Sequence, residues 1–571
     1  MQRVRAHRPV FRLLTTVALS AILSATAAWS VGPVSFSRAD LREWLTYIAS
    51  DDLQGRALFS PGLDQAAAYI AEHLKSWGVR PAGDSGSYFQ RVQVLSVKAT
   101  GRSTVTVQIG AETKTFVDGH GVSFQKNAGA KRRLTIDRVE FTGYGLDLPA
   151  AHHVDLGSRD LRGAAVVWLG SDGPKEVDAE TYRLLLGQRG RSAVDQARVA
   201  ASIGPDLPPA DPPLSEPDGS PAGRSSSDPA LAADFSTTEQ LDRPRPPIVG
   251  ASDDFFEFLF SRAPIRFEEL KRRAVSRAPL PSFRLEGVTL TFNIDVDYSV
   301  VRSQASQNIV ATVEGSDPML RHSFVGFGAH YDHVGYADGE IVASEHGPQR
   351  QRAPGRVTPG ALDDRVWNGA DDDGSGTVGL MALARAFAGG ARPKRSLLFV
   401  WHTGEEAGRY GSLYFAEHPA VPLAQIVGLL NIDMIGRNRE NKSSESNTVY
   451  LVGADRISSE LDAIARAANL SLVRPMSLDF SYNDPSDPES LYTRSDHYSY
   501  GSRGIPVIFF TTGLHPDYHA NTDEVSRIEF DKLARVLDLV YEIGTRLANL
   551  DHPLRRDKGV DGPAAGALAV H

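Results

Sequence analysis

Three consecutive carboxylates, Asp371, Asp372 and Asp373, stand in the stretch NGADDDGSG, with glycines on both sides and no basic residue between them. Adjacent carboxylates repel, and glycine weakens any regular element that includes it, so the arrangement is costly unless a cation holds some of the oxygens. Further ligands of matching chemistry occur downstream and upstream: His330 and Asp332 in HYDH, Glu405 and Glu406 in TGEEAG, Asp433 in NIDMIGR, and His519 in HPDYH. Imidazole and carboxylate suit zinc, and less specifically cobalt or manganese. The set suffices for two ions if one carboxylate bridges them, and hydrolytic two-metal sites hold their ions about 3.5–4 Å apart. Singly, each motif has a plainer reading. DDDGSG could be a solvated turn or a calcium loop, although it lacks the closing Glu of a twelve-residue EF-hand loop. HYDH could be a surface turn, and paired glutamates after a strand commonly start a helix. His346, His402 and His515 have no spacing that makes them better ligands than their neighbours.

The elements around these residues give the set its meaning. SFVGFGAHYDH, RSLLFVWHTGEEAG, IVGLLNIDMIGR and IPVIFFTTGLHPDYH each read as an apolar strand followed by a polar loop. SGTVGLMALARAFAGG reads as a helix with a Gly stop. Continuous apolar runs suit strands covered on both faces, so the expected fold is α/β, with a mostly parallel central sheet flanked by helices. Such sheets bind ligands beyond the carboxyl ends of their strands, and every candidate ligand lies there or at the start of the following helix.

The chain has 571 residues, which favours two globular units. Residues 36–96 show helical spacing, with Ser37 and Asp40 as expected caps and Gly78 as an expected stop. Alternating strand texture over 97–300 suggests an inserted β-rich domain, and 301–550 the main catalytic domain, followed by a tail over 551–571. Within the insert, residues 204–246 are rich in Pro, Ser and Asp and are expected to be disordered. Residues 1–28, basic and then briefly apolar with small residues at the end, suggest a signal peptide and export, periplasmic or secreted. An uncleaved anchor is the alternative, but the apolar run is shorter than the ~20 residues that a spanning helix needs. The net charge of −9 and the lack of a basic run argue against nucleic acid as a partner, and the absence of cysteine excludes disulfides, thiolate metal sites and cysteine nucleophiles.

In order, GAHYDHVG, NGADDDGSG, TGEEAGRYGS, NIDMIGR, SDHY and HPDYHANTDE resemble the motif series of metallopeptidase family twenty-eight, the co-catalytic di-zinc aminopeptidases. YIASDDLQGR and VRPAGDSGSYFQ extend the likeness to 36–92. VEFTGYGLD and LRGAAVVWLG make the insert similar to a protease-associated domain. The resemblance implies a zinc-dependent exopeptidase fold and two zinc ions per chain. It implies that His330 and Asp433 bind one ion, that Glu406 and His519 bind the other, and that Asp372 bridges them. By the same likeness Asp332 would fix the tautomer of His330, Glu405 would be the general base for a metal-activated water, and Tyr518 would polarise the scissile carbonyl. Peptides are then the expected substrates. The relatives also include glutamate carboxypeptidases and glutaminyl cyclases, and a non-catalytic binding protein is a further alternative; this chain keeps all five ligands and the base. The Arg-rich stretch 346–356 departs from the family pattern and could reshape access to the site.

Overall fold

Apolar runs that need cover on both faces make the centre of the molecule. The computed structural model describes residues 35–157, 159–206, 232–238, 241–344 and 347–558. The expected signal peptide and His346 therefore lie outside the described residues. One sheet contains β1 (Phe89–Gly101), β2 (Phe235–Thr237), β3 (Val296–Val313), β4 (Phe324–His330), β5 (Ser396–His402), β6 (Ile426–Ile432), β7 (Thr448–Val452), β8 (Ser477–Asp479) and β9 (Val507–Thr511). Their spatial order is β2-β1-β3-β5-β4-β6-β9-β7-β8. The central pairs β5–β4, β4–β6 and β6–β9 are parallel, whereas β2–β1, β1–β3, β3–β5 and β9–β7 are antiparallel. The parallel strands are buried almost throughout, which explains why their sequences do not alternate.

Helices α1 (Arg38–Ile48), α2 (Pro61–Ser76), α4 (Gly376–Gly389) and α5 (Phe530–Asn549) pack together on one face, and α3 (Arg183–Asp195) belongs to the insert. Phe387 of α4 packs against Phe327 of β4 and Phe399 of β5 on one face. On the other, Leu398 and Val400 share a buried cluster with Phe415, from the short helix Tyr410–Glu417. Ser37 caps α1 by accepting from the Asp40 backbone N–H, so Asp40 sits in the first turn and is not itself a cap. Ser60 caps α2, with Pro61 at its first position, and Gly78 ends that segment at φ +72°. No helix of the described residues is long and apolar enough to cross a membrane.

A second ten-stranded sheet is built from strands between Thr104 and Ile294. Its interior is aromatic, with Phe141, Phe255, Phe256, Phe260 and Phe292 all buried in one cluster. The chain enters and leaves it along the β1–β3 ribbon, in which Gly101 pairs with Val296 and the register shifts between Val300 and Arg302.

The expectation of disorder over 204–246 fails at both ends. The strand Ala201–Pro205 runs into this range, and β2 adds an edge strand, pairing Phe235–Thr237 with Leu95–Val97. The Phe235 ring meets Tyr298 edge-on at 6.2 Å. One apolar anchor in a polar stretch is enough to order an edge strand, and averaging the composition hides it. Residues 207–231 lie outside the described residues. Because they carry few large apolar groups, deleting 207–231 should shift the thermal midpoint by no more than about 2 °C. Calorimetry of the deletion variant checks this; a fall of 5 °C or more, roughly 1–2 kcal/mol, would show that the segment contributes to the core.

Candidate metal centre

Each of the three aspartates has its own task. Asp373 is wholly engaged with backbone: its Oδ1 accepts from Gly376 N (2.9 Å) and Met434 N (3.2 Å), and its Oδ2 from His330 N (3.1 Å). It lies close to His330 and Asp433, but its oxygens tie the ends of β4 and β6 to the start of α4. Asp371 accepts from Gly436 N at 2.6 Å and faces His515 Nε2 at 3.2 Å. The Asp371 and Asp372 amides both donate to Asp523 Oδ2, at 3.0 and 3.1 Å. That leaves Asp372 free to point into the site. Gly369 makes the close turn possible: its φ is +56°, and a Cβ there would lie 2.4 Å from Asp372 O and 2.5 Å from the His333 ring.

Two sets of candidate ligands meet at Asp372. On one side His330 Nε2 is 3.3 Å from Asp372 Oδ1 and 3.7 Å from Asp433 Oδ2. On the other, His519 Nε2 is 3.1 Å from Asp372 Oδ2 and 2.9 Å from Glu406 Oε2. His330, Asp372, Asp433, Glu406 and His519 are thus brought together from five separate chain segments. Asp372 Oδ2 and His519 Nε2 are buried and make no hydrogen bond, although they approach within 3.1 Å. Lone pairs converging in this way, from an N/O donor set, fit a zinc ion. Ser495 Oγ donates to Asp433 Oδ2 at 2.8 Å and fixes that carboxylate.

The electrostatics point the same way. Burial pushes the His330 imidazole down, but Asp433, Asp332 and Asp372 outweigh it and hold the ring well above its usual range. His519 behaves alike, through Glu406 and Asp372. Burial would raise Asp372, but His330 and His519 draw it well below the ordinary carboxylate value. Burial, together with Asp496, Glu406 and Asp433, raises Glu405 well above it. The pocket is an anionic nest that calls for positive charge.

The Asp332 carboxylate does not bond the His330 ring directly. It stands 3.7 Å from His330 Nδ1, while its own backbone oxygen is nearer, at 3.2 Å. The carboxylate instead accepts from the backbone N–H groups of Glu405 (3.1 Å) and Glu406 (3.3 Å). Asp332 therefore anchors the turn that presents the two glutamates. Tyr518 stacks on His519 with ring centroids 4.0 Å apart, and its OH accepts from Arg494 Nη2 at 3.2 Å. The described part of the Arg-rich stretch supports the same loop, since Arg356 N donates to His519 O at 2.7 Å and Arg356 Nη2 to Tyr518 O at 2.9 Å. His402 and His515 are buried outside the ligand sets, His402 bonding Tyr500 OH at 2.9 Å and facing Asp496 at 3.3 Å.

Three participants were not anticipated. His333 Nδ1 is 2.7 Å from Glu406 Oε1 and its Nε2 is buried without a partner. The tautomer that leaves a bare Nε2 rather than an orphaned N–H has Nδ1 donating, so His333 holds Glu406 in place. The second His of HYDH was the available signal. Asp523 is the last but one residue of HPDYHANTDE; burial lifts its carboxyl to about 6. Arg56 ends YIASDDLQGR and lies beneath the cluster, fully buried. It donates to Tyr331 O (3.0 Å), Ile48 O (2.6 Å), Asn368 O (2.7 Å) and Gly369 O (3.0 Å). Burial lowers its guanidinium to about 10, against the pull of Asp332, Asp372, Asp373 and Asp523.

Residues 308–544 match the profile described as peptidase family M28. Over that segment the chain is similar to peptidase family M28. All five candidate ligands lie within the M28 segment. A leucine aminopeptidase 1 of Trichophyton equinum is 26% identical over 259 residues, which are 44% of this chain and 60% of that relative. A vacuolar membrane protease of Clavispora lusitaniae is 24% identical over 271 residues, 46% of this chain and 22% of its own length. Among solved structures, an aminopeptidase from Aneurinibacillus sp. strain AM-1 aligns at a TM-score of 0.42 and 18% identity, covering 93% of this chain and 97% of that one. The zinc aminopeptidase of Bacillus subtilis aligns at 0.42 and 15%, covering 92% and 97%.

Proposed function

We propose that this protein is an exported di-zinc aminopeptidase that removes N-terminal residues from peptides. The observation that carries the reading is the division of Asp372, one oxygen toward His330 and the other toward His519. His330 and Asp433 would hold one zinc, Glu406 and His519 the other, and Asp372 would bridge them. Zinc bound there supplies Lewis acidity to a water and to the scissile carbonyl.

The chain's own groups do the rest. Glu405 is held on the turn that Asp332 anchors, half-buried and with a raised pKa. It takes the proton from the attacking water and passes it to the leaving amine. Because Arg494 donates to the Tyr518 oxygen, the phenol hydrogen is left free, and burial keeps it in place by raising the Tyr518 pKa. That hydrogen can be donated to the developing oxyanion. The inserted sheet stands as a protease-associated module in this reading, and the N-terminal 28 residues as its export signal.

The test is a panel of aminoacyl-anilides beside N-blocked peptides and peptides ending in glutamate, assayed with and without added zinc. Release of free N-terminal residues, lost on chelation and restored by zinc, is expected. Turnover confined to N-blocked peptides would overturn the aminopeptidase reading, and release of C-terminal glutamate would replace it with a carboxypeptidase.

A further inference from the structure

The turn that carries Glu405 ends in an arginine whose surroundings are unusual. Arg409 N donates to Glu405 O at 2.8 Å, and Arg409 adopts φ +60°. Its guanidinium lies over the Tyr498 ring, 5.2 Å from the centroid, and its Nη1 is buried without a hydrogen-bond partner. Burial and the neighbouring Arg191 both depress its pKa. An unsatisfied buried N–H on a cation is costly, and an anion delivered from outside would remove the cost.

The space for that anion is a cleft between the two sheets' modules. It is lined by Gln188, Arg191 and Asp195 of α3 and by Arg409, Thr493 and Tyr498 of the catalytic side, with a volume of about 40 Å³. That is room for a group as small as a carboxylate. Arg191 is 65% exposed, and its side chain comes no nearer to Asp195 than 4.0 Å. Asp195 is itself occupied by the Tyr498 hydroxyl at 3.1 Å. Two cations therefore face one engaged anion. The cleft continues through Ser192, Gln196 and Thr493 into a larger cavity of about 190 Å³. It borders the metal centre twice, through the Glu405–Arg409 turn and through the segment whose Arg494 and Ser495 hold Tyr518 and Asp433.

We propose that this cleft binds a carboxylate of the peptide substrate through Arg409 and Arg191, so that the inserted module completes the substrate site. This rests on the peptidase reading for the nature of the substrate. The carboxylate comes from the free C-terminus of a very short peptide, which lies within about 3.5 Å per residue of the scissile bond, or from an acidic side chain. Both sources share one chemistry, a charge-assisted guanidinium–carboxylate bond.

The experiment uses the zinc-loaded full chain with matched substrate pairs. Leu-Gly against Leu-Gly-amide tests the C-terminal carboxylate. Leu-Glu-amide against Leu-Gln-amide, and Glu-anilide against Gln-anilide, test acidic side chains at the second and first positions. The acid member of one pair should show kcat/KM about tenfold or more above its neutral partner. That ratio should fall toward one in both Arg409→Gln and Arg191→Gln. If Arg409→Gln does not fold, the exposed Arg191 position decides. Ratios near one for all three pairs in the parent, or a ratio undiminished in Arg191→Gln, overturn the proposal. If no substrate is turned over at all, the aminopeptidase reading fails separately. Calorimetry with D-Leu-Gly and its amide then decides the cleft: tighter binding of the acid, lost in Arg191→Gln, supports it, and equal affinities refute it.

Discussion

Replacing Glu405 by Gln lowers turnover by about 10²–10⁴-fold while zinc content and KM stay near those of the parent. The amide keeps the size and a hydrogen-bonding group but cannot take a proton from water. Its backbone N–H still donates to Asp332, so the turn keeps its shape. Glu406→Ala behaves differently although it is the adjacent position. Glu406 Oε2 lies 2.9 Å from His519 Nε2 and its Oε1 is 2.7 Å from His333 Nδ1. Its loss removes a ligand and frees both imidazoles, so about one zinc per chain should be lost together with activity. Elemental analysis beside steady-state kinetics separates the two. Near-parental turnover by Glu405→Gln would sink the mechanism, and zinc loss in that variant with retention in Glu406→Ala would reverse the two roles.

Arg56→Met should destabilise the fold by about 3–5 kcal/mol, because removing a buried, fully bonded cation strands its partners. Those partners are the carbonyls of Ile48, Tyr331, Asn368 and Gly369, which belong to the end of α1, the loop after β4 and the start of the aspartate turn. No other single side chain described above joins all three. Urea unfolding of the zinc-free protein is the measurement that isolates this effect from metal binding. An unchanged midpoint would mean that the loops hold their positions without the guanidinium.

The gathering of the strand-end candidates was legible because its signal is local. An apolar run such as LLFVWH followed by a polar turn fixes where a side chain emerges, and parallel strands gather those points along one edge. The aspartate turn was legible as costly, but the division of labour within it was not. Asp373 and Asp372 are chemically identical and differ only in which backbone amides lie within reach. Arg56 and His333 were missed for a related reason: their partners are carbonyls and a carboxylate from distant segments, and no spacing in the chain records them. Asp332 was recognised through its likeness to a partner of the His330 ring, but its bonds to the glutamate turn leave no mark in the spacing. The ordered ends of the 204–246 stretch escaped because a single Phe235 outweighs many polar neighbours once it reaches Tyr298.

The ribbon of β1 and β3 carries one more implication. Gly101 and Val296 are cross-strand partners, so the polypeptide departs for the second sheet and returns one rung apart, about 5 Å by ordinary antiparallel spacing. A hairpin tip of two residues could close that gap without altering the register below it. The intervening stretch is therefore inserted like a cassette in a slot, and its exchange would cost the first sheet only the edge strand β2 that the insert supplies. What such an exchange would alter is the wall that α3 places opposite Arg409. In the proposed reading, selectivity and chemistry are encoded in separable parts of one chain.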